Sequence, residues 1–300
     1  MQNTQYGRKY NNLIHNLTKK SFENYIFFDT LAHVKMIAYI YNPFFVTLIS
    51  MKKLISPDNA LVKKALKYKN PRNRDQLTRC IVEGLRAVET FLNSDYKLNR
   101  IYVTDKNISW AQKSFPEESI LLVSDQIMQK ISSTTSPSGI LALFDIPEQK
   151  ALTELKSGIV LANLQDPGNV GTLIRTATAL NQSIILIDGV NPYNPKVIQA
   201  TAGTLAHAQL FRMSWEELVQ KKGKLLLSAL MVEGGIPIKE VRDIHQRLLV
   251  VGSEAHGLPD EWQKKCDEKI TLPMPGGTES LNAAVAGSIA LYMLSLSPIQ

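Results

Sequence analysis

The sequence predicts an α/β protein in which a parallel-sheet domain at residues 151–300 follows a smaller α/β domain at residues 51–150. Three observations lead to this prediction. From Gly158 onward, short apolar runs alternate with helical stretches, which is the pattern of a parallel sheet covered on both faces. Residues 51–100 are basic, with 12 Lys and Arg against 5 Asp and Glu. The turn-rich segments lie where predicted strands end.

The composition is that of a globular protein. With 44% hydrophobic and 20% charged residues in 300, the chain can bury a substantial core. Its two cysteines, Cys80 and Cys266, form no CxxC pair, so we expect buried free thiols, no metal centre and a reducing, cytoplasmic compartment.

The first 50 residues differ from the rest of the chain. They hold 10 of its 22 aromatic residues. Their apolar run at residues 36–50 is interrupted by Asn42 and Pro43 and is shorter than the roughly 20 residues that span a bilayer. No signal-peptide pattern precedes it. We therefore expect residues 1–50 to be an atypical extension outside the folded protein, with no membrane association.

Residues 51–150 predict the smaller domain. A helix is expected to start at Ser56-Pro57-Asp58 and to continue through the lysines that follow. The remaining predicted elements are a strand at 80–84, a helix at 85–92, strands at 100–103, 120–123 and 139–146, and a linker at 148–157.

Residues 151–300 predict the parallel sheet. Loops at the carboxyl ends of such strands are where ligands bind. The predicted elements are strands at 158–164, 183–189, 225–230 and 247–254, with helices at 172–180, at 196–202 and from Asn282 onward.

The first chemistry-bearing loop is NLQDPGNVGTLIR at residues 163–175. It joins a strand to a helix, so we expect free backbone N–H groups at the helix start to face a ligand. Asn169 is a candidate hydrogen-bonding or capping residue. Arg175 is expected about one turn into the helix, facing the cleft. An ordinary strand–turn–helix with an exposed Arg175 remains the alternative. The loop matches neither GxGxxG nor a P-loop.

The second and third loops carry the other candidate residues. In VVGSEAHGLP, Gly252 permits close backbone approach, and Glu254 lies in a glycine-flanked turn. We do not expect catalysis by His256. In the third loop, two prolines and two glycines precede Ser280 and Asn282, and a helix of small residues follows that can pack very close to another backbone.

Together these loops resemble the three motifs of the SpoU (TrmH) family of RNA ribose 2′-O-methyltransferases, in the SPOUT class. The matching stretches, in order, are NLQDPGNVGTLIRTATA, LVVGSEAHGLP and LPMPGGTESLNAAVAGSIALY, within residues 159–294. The second stretch has Ala255-His256 where the family more often has a glycine after the glutamate.

The resemblance implies a parallel α/β fold with a carboxyl-terminal trefoil knot, an exception to the rule that chains do not knot. It also implies S-adenosylmethionine as cofactor and a homodimer with the active site near the subunit interface. The cofactor would contact mainly the backbone, at Gly252, Gly257, Leu272, Met274 and Leu281.

The same resemblance gives the catalytic positions as Asn169, Arg175, Glu254, Ser280 and Asn282. The family assigns the base role to the arginine. Because a guanidinium stays protonated in proteins, we favour Arg175 as a cation that holds phosphate or stabilises the developing alkoxide. Asn169, Ser280 and Asn282 would shape the loops and orient the ribose, and Glu254 would hold the motifs together.

Residues 56–146 resemble the ribosomal-protein-like substrate-binding domain that precedes the catalytic domain in many members. This explains the basic segment as a surface for RNA phosphates. The expected phosphate-binding residues are Lys63, Lys64, Lys67, Lys69, Arg72, Arg74 and Arg79.

The predicted function is methylation of a ribose 2′-hydroxyl in structured RNA, with large-subunit ribosomal RNA as the substrate and transfer RNA as the alternative. A non-catalytic RNA-binding protein with a relic methyltransferase fold is a second hypothesis. A nicotinamide dehydrogenase is a third, against which the missing GxGxxG counts.

Overall fold

The computed structural model describes residues 53–69, 78–241, 246–277 and 279–295. The predicted extension at residues 1–50 lies outside these ranges, as do Arg72 and Arg74. The contacts place both sheets in one unit that begins at Leu54. The predicted boundary near residue 150 therefore stays a prediction.

The amino-terminal part contains a four-stranded sheet in the order β1-β4-β2-β3, with β2 and β3 parallel and the other pairs antiparallel. Its strands are β1 (Arg79–Glu83), β2 (Lys97–Val103), β3 (Ile120–Leu122) and β4 (Ile140–Asp145). Its helices are α1 (Ala60–Lys69), α2 (Leu85–Leu92), α3 (Ile108–Ser114) and α4 (Asp125–Ile131). The sequence analysis predicted neither α3 nor α4.

The start of α1 differs from the prediction. The helix begins at Ala60, and the side chain of Asn59 accepts a hydrogen bond from the backbone of Leu61 at 2.9 Å. Ser56-Pro57-Asp58 lies before the helix instead of capping it. The amide oxygen of Asn59 satisfies an N–H group that has no partner within the helix, and this sets the starting residue.

One face of the four-stranded sheet packs against α1 and α4. Val62 and Ala65 of α1 join Ile127 and Ile131 of α4 in a cluster with buried strand residues such as Tyr102. The lysines of α1 lie between these apolar positions, so burying the helix leaves its basic side outward.

The carboxyl-terminal part contains a seven-stranded parallel sheet in the order β7-β6-β5-β10-β8-β11-β9. The strands are β5 (Gly158–Ala162), β6 (Ser183–Ile187), β7 (Gln209–Arg212), β8 (Leu226–Met231), β9 (Ile236–Pro237), β10 (Arg247–Val251) and β11 (Glu268–Thr271). The helices are α5 (Pro167–Ala179), α6 (Pro195–Ala200), α7 (Trp215–Lys221), α8 (Asp260–Gln263) and α9 (Ala283–Ser295). The predicted parallel α/β fold is confirmed, whereas β7, β9, β11, α7 and α8 were not predicted.

Helices cover this sheet on both faces, which explains its continuous apolar strands. Val250 of β10 belongs to a cluster with Trp215 of α7, and Trp215 stacks on Trp262 of α8 at 4.8 Å between ring centres. The next residue, Val251, points to the opposite face, where it lies close to Gly287 of α9. Every residue of β5 and β6 is buried.

Both cysteines are free thiols, as predicted. Cys80 is fully buried and Cys266 is partly buried. Burial raises the pKa of both thiols, and it raises that of Cys266 to about 11. They are packing residues, not reactive groups.

No helix in the described ranges is long and apolar enough to cross a membrane. No group of three or more His, Cys, Asp or Glu side chains in the same residues is arranged to hold a metal ion.

Candidate active site

The strand order brings two of the three predicted loops side by side. From β5, the chain adds β6 and β7 on one side, whereas β10 pairs with β5 on the other side and β8 lies beyond it. The order therefore reverses between β5 and β10, and such a reversal opens a crevice at the carboxyl ends of the strands. The third loop reaches this crevice from β11, which is two strands away from β10.

The first loop enters α5 through an aspartate cap. Asp166 accepts a hydrogen bond from the backbone N–H of Asn169 at 2.8 Å, and Pro167 occupies the first helical turn. This pairing fixes the helix start, because proline suits the first turn and aspartate satisfies a free N–H group. The helix therefore begins five residues before the predicted Thr172.

The structure changes two expectations for this loop. The backbone N–H of Asn169 is bonded to Asp166 and is not free for a ligand, whereas the N–H of Gly168 has no partner among the described residues. Arg175 lies in the third turn of α5, not one turn into the helix.

The second loop makes a tight turn after β10. The backbones of Ser253 and Gly257 exchange two hydrogen bonds, at 3.1 and 2.9 Å. A Cβ atom on Gly252 would lie 2.4 Å from the backbone of Gly257, so only glycine permits this approach. The turn holds Glu254 at its exposed tip.

The third loop ends in an asparagine that caps the last helix. The side-chain oxygen of Asn282 accepts hydrogen bonds from the backbones of Ala284 at 2.9 Å and Val285 at 3.2 Å. Because the oxygen is engaged by the helix, the amide nitrogen points away from it and is available for a second partner.

A chain of side-chain hydrogen bonds joins all three loops. The amide nitrogen of Asn282 donates to Oδ1 of Asn169 at 3.0 Å, and Nδ2 of Asn169 donates to Oε1 of Glu254 at 2.7 Å. Asn169 is the central member, and both residues that it bonds lie more than 80 positions further along the chain. Three of the five predicted catalytic residues are thus brought together.

Arg175 and Ser280 do not belong to this chain. Both side chains are exposed, and neither makes a hydrogen bond or ion pair within the described residues. Arg175 therefore projects from α5 as an uncommitted cation, exposed as in the alternative interpretation of this loop.

One of the predicted cofactor-contacting residues, Gly257, borders open space, whereas Gly252 is packed against the backbone of its own turn. A Cβ atom added to Gly257, or to Gly276 or Gly277 of the third loop, would meet nothing within 4 Å. Leu272 is buried, Met274 is partly buried, and Leu281 exposes 38% of its surface. Glycine backbone beside apolar side chains fits a flat, mostly apolar ligand group such as a purine ring.

The small residues of α9 allow close packing, as predicted, but against side chains and not against backbone. A Cβ atom on Gly287 would lie 2.8 Å from Leu173 and 3.1 Å from Val251. A hydrogen bond between the two helices adds to this packing, because the hydroxyls of Thr176 and Ser288 lie 3.0 Å apart. These contacts hold α9 against α5, the helix that carries Asn169.

The basic residues of the amino-terminal part fall into two groups. Lys63 pairs with Asp58 at 3.1 Å, Lys69 donates to the backbone of Lys130 at 2.9 Å, and Arg79 pairs with Asp145 at 2.5 Å. The hydrogen bond to Asp145 raises the pKa of Arg79 above its ordinary value.

Lys64 and Lys67 form the second group. Neither side chain has a partner among the residues that the structure describes. Lys67 is exposed and Lys64 is partly buried, and neither charge is neutralised by a described acidic side chain, so both charges are available to a polyanion.

Sequence reasoning did not assign roles to Asp166, Thr176 or Ser288. The Asp-Pro pair at residues 166–167 carried a usable signal, because a cap residue followed by proline is typical of a helix start. No sequence signal connects Thr176 with Ser288, which are 112 residues apart.

Comparison with family models gives two matches that do not overlap. Residues 156–292 match the SpoU rRNA Methylase family. Residues 59–142 match the MRM3-like substrate binding domain.

Similar proteins cover most of the chain. A 23S rRNA (guanosine(2553)-2′-O)-methyltransferase, RlmP of Bacillus subtilis, is 30% identical over 250 residues, which is 81% of this chain and 99% of that protein. A 23S rRNA (uridine(2479)-2′-O)-methyltransferase of Streptomyces viridochromogenes is 26% identical over 73% of this chain and 84% of its own length.

Solved structures agree on the fold. The crystal structure of an AdoMet-bound rRNA methyltransferase from Sinorhizobium meliloti superposes with a TM-score of 0.72 at 23% identity. The superposition covers 81% of this chain and 97% of that one.

The central role of Asn169 can be tested by changing it to aspartate. Asn169→Asp replaces the donor that faces Glu254 with a carboxylate oxygen, so attraction becomes repulsion at neutral pH. We expect faster backbone hydrogen exchange in the 253–257 turn and a loss of about 1 kcal/mol in stability, the usual size of one hydrogen bond. Hydrogen exchange read by mass spectrometry and thermal unfolding measure these effects.

A matched control is Asn194→Asp, because Asn194 caps α6 through its side-chain oxygen and aspartate preserves that acceptor. Equal exchange in the two variants would contradict the central position of Asn169.

Proposed function

Because this chain belongs to the SpoU rRNA methylase family, we propose that it transfers a methyl group from S-adenosylmethionine to a ribose 2′-hydroxyl of large-subunit ribosomal RNA. The observation that carries the proposal is the hydrogen-bond chain from Asn282 through Asn169 to Glu254. It unites one residue from each family motif at the crevice of the parallel sheet. The names of the relatives that act on 23S rRNA support the substrate class.

The cofactor assignment rests on the open space beside the glycines of the second and third loops. Gly252, Gly257 and Met274 would border the cofactor with their backbone, and Leu272 and Leu281 would pack against its adenine. S-adenosylmethionine supplies a methyl group that is activated by its bond to a positively charged sulfur. Glycines with no neighbour within 4 Å of a Cβ position leave room for such a ligand.

We assign Arg175 an electrostatic role. Its guanidinium stays protonated, so it suits the binding of a phosphate or the stabilisation of negative charge on the 2′-oxygen. Its exposure and its lack of an acidic partner among the described residues leave the charge available for RNA. Asn169, Ser280 and Asn282 shape the loops and orient the ribose.

A methyl-transfer assay tests the proposed function. Labelled S-adenosylmethionine is incubated with the protein and unmodified ribosomal RNA or transfer RNA, and the RNA is digested to nucleosides for mass analysis. We expect a 2′-O-methylnucleoside from ribosomal RNA. Arg175→Ala should lower the rate by about 100- to 1000-fold, the usual effect of removing a group that stabilises transition-state charge.

Lys224→Ala is the control. It removes a cation that precedes β8, at the amino-terminal ends of the strands and away from the carboxyl ends where the loops meet. Label in transfer RNA alone would move the substrate to the alternative class. No transfer to either RNA, together with no cofactor binding, would support the non-catalytic RNA-binding hypothesis.

We propose that the carboxyl-terminal segment forms the trefoil knot of the family. After β11, which β8 separates from β10, the chain returns across the sheet, and α9 packs against α5 and β10. The start of α9 is linked to the Ser253–Gly257 turn, because Asn282 bonds Asn169 and Asn169 bonds Glu254. This proximity supports threading through the second loop, with the Pro/Gly-rich segment at residues 273–277 as the bend.

We also propose that the protein is a homodimer in which a second copy covers α9. The helix exposes apolar residues at a spacing of about four, on one side. These residues are Val285 (45% exposed), Ile289 (40%), Tyr292 (53%) and Met293 (40%). An apolar stripe of this kind suits self-complementary packing around a twofold axis. Since α5 packs beside α9, the interface would lie close to Arg175.

Ile289→Glu tests the dimer. Two buried carboxylates would face each other across a twofold interface, so we expect the dissociation constant to rise at least about 100-fold, or roughly 2.7 kcal/mol. Sedimentation velocity over a concentration series measures it. Ile55→Glu is the control, because Ile55 is 70% exposed and lies outside the stripe. A monomeric unaltered protein would rule out the dimer.

The amino-terminal part is proposed as the RNA-binding domain, on the basis of its family match and its basic helix α1. Lys64 and Lys67 are the main candidates for phosphate contacts, whereas Lys63, Lys69 and Arg79 already have partners. Arg72 and Arg74 keep their predicted role.

The double variant Lys64→Glu/Lys67→Glu should weaken RNA binding. We expect the slope of log affinity against log salt to fall in magnitude by about 1 to 2, because each lost phosphate contact changes it by nearly one. Fluorescence anisotropy with a ribosomal RNA fragment measures both quantities. Lys224→Glu/Lys265→Glu makes the same charge change at two exposed lysines without described side-chain partners, before β8 and β11 at the amino-terminal ends of the strands, and an equal effect there would indicate only a general field effect.

The cytoplasm is the proposed compartment. Two free cysteines and an RNA substrate fit a reducing cellular compartment that contains ribosomes.

A further inference from the structure

We propose that the cavity between α2 and α6, about 450 Å³ in volume, binds an unstacked base of the RNA substrate. The inference rests on the proposed function, since it takes RNA as the substrate. It adds a subsite for a base to the phosphate contacts that are proposed for α1.

The cavity lies at the junction of the two sheet-containing parts of the chain. One wall consists of the end of β1, the start of α2 and Thr134, which belong to the residues that match the substrate binding domain. The other wall consists of α6 and Ala202, which belong to the residues that match the SpoU family. An RNA that the first part binds and the second part methylates extends across this junction.

Close packing fixes the two walls relative to each other. A Cβ atom on Gly203, which follows α6, would lie 3.2 Å from Cα of Ala87 and 3.3 Å from the side chain of Thr90. Both of these residues belong to α2, so this helix is seated tightly on the second wall. The cavity is therefore preformed, as ligand sites usually are.

The cavity is close to the crevice, because α6 packs on α5. A Cβ atom on Gly171 would lie 2.4 Å from the Cβ atom of Ala200 and 2.8 Å from the backbone oxygen of Val197. Gly171 lies in the same helix as Asn169 and close to it in sequence. One helix, with a diameter of about 10 Å, thus separates the cavity from the helix that carries the central amide. A base bound in the cavity belongs to a nucleotide near the one that is methylated.

The walls of the cavity are mainly apolar. The apolar lining residues are Ile81, Leu85, Ala87, Pro195, Ile198 and Ala202. The volume falls within the range of small-ligand sites. Apolar walls suit the flat faces of a base that has left its stack in the RNA. The edges of a base carry donors and acceptors, so the site also needs a polar group.

Gln199 supplies that polar group. Its side chain lines the cavity, is exposed and makes no hydrogen bond within the described residues. Its amide presents donors and an acceptor side by side, which matches the edge of a base. Glu83 also lines the cavity, but its two carboxylate oxygens accept from the hydroxyl of Ser132 and from the backbone of Ser133 at 2.7 Å. The carboxylate is therefore already engaged.

Two cations beside the cavity favour RNA over a neutral partner. Arg86 lines the cavity, is exposed and has no acidic partner in the described part of the chain. Its planar guanidinium can lie against the face of a base. Lys196 directly follows Pro195 of the wall and is also exposed and unpaired among the described residues, so it suits an RNA phosphate.

A thiol footprint tests whether RNA occupies the cavity. Gln199→Cys places a thiol at the cavity, and Gln220→Cys places one at an exposed position of α7 as the matched control. The native Cys80 and Cys266 react slowly, because burial raises the pKa of both thiols. We expect unmodified ribosomal RNA, at about ten times its dissociation constant, to slow alkylation of the Gln199→Cys thiol by N-ethylmaleimide about tenfold, since about a tenth of the sites stay free. Mass spectrometry measures the rate, and the Gln220→Cys rate should not change.

Two variants of Arg86 separate stacking from charge. Arg86→Ala removes both, whereas Arg86→Lys keeps the charge and removes the planar group. We expect either variant to raise the dissociation constant for ribosomal RNA by about 5- to 100-fold, the usual effect of losing one stacked base. Filter binding over a salt series measures it, and the salt slope of Arg86→Lys should equal that of the unaltered protein. Cofactor affinity and melting temperature should stay at their unaltered values.

The results that would overturn the inference differ from those that would reject the proposed function. An unprotected thiol in Gln199→Cys at saturating RNA would exclude RNA from the cavity. Equal protection in Gln220→Cys would indicate general shielding by RNA and no subsite. An affinity of Arg86→Lys within about twofold of the unaltered value would exclude a stacked base at Arg86. Absence of both RNA binding and methyl transfer in the unaltered protein would instead reject the proposed function.

Discussion

The site depends on one side chain, the amide of Asn169. It donates to one loop and accepts from another, and its own backbone is fixed by the aspartate cap of α5. An amide suits this position because it presents a donor and an acceptor side by side. Among the described residues, these are the side-chain hydrogen bonds that join the three loops, so the arrangement of the loops depends on them and on the packing beneath them.

The packing beneath the site is what keeps this amide in place. Gly252 lets the second turn fold back on itself, and Gly287 lets α9 approach Leu173 and Val251. The parallel sheet supplies a rigid base, since β5 and β10 are neighbours with almost entirely buried residues. Loops that are anchored to such strands can hold polar groups at distances suitable for chemistry, because the strands themselves move little.

The two opposite charges at the site have different settings. Arg175 carries a permanent charge on an exposed face of α5, which suits contact with an RNA phosphate. Glu254 carries the opposite charge at the end of the hydrogen-bond chain, where it accepts the side-chain amide of Asn169. A separate basic helix, α1, lies in the other sheet-containing part of the chain, so the proposed RNA-binding residues and the proposed catalytic residues lie on different elements.

The sequence by itself determined the fold class, the positions of the three loops and the identity of the residues that meet at the site. Short apolar runs bounded by turn residues, such as those of β5 and β6, are typical of buried strands, and the Pro/Gly clusters are typical of turns. The start of α5 was also encoded, in Asp166 and Pro167, although the pattern was assigned to a later residue.

Only the tertiary structure decided which side chains touch. The bonds of Asn169 to Glu254 and to Asn282 span 85 and 113 residues, and no local pattern specifies pairs at such separations. The same holds for Arg79, which the sequence presents as a free cation and which the structure pairs with Asp145, 66 residues away. Local sequence fixes backbone geometry through short-range sterics and hydrogen bonds. Contacts between distant segments depend instead on the spatial order of the strands in the sheet, which decides which loops become neighbours.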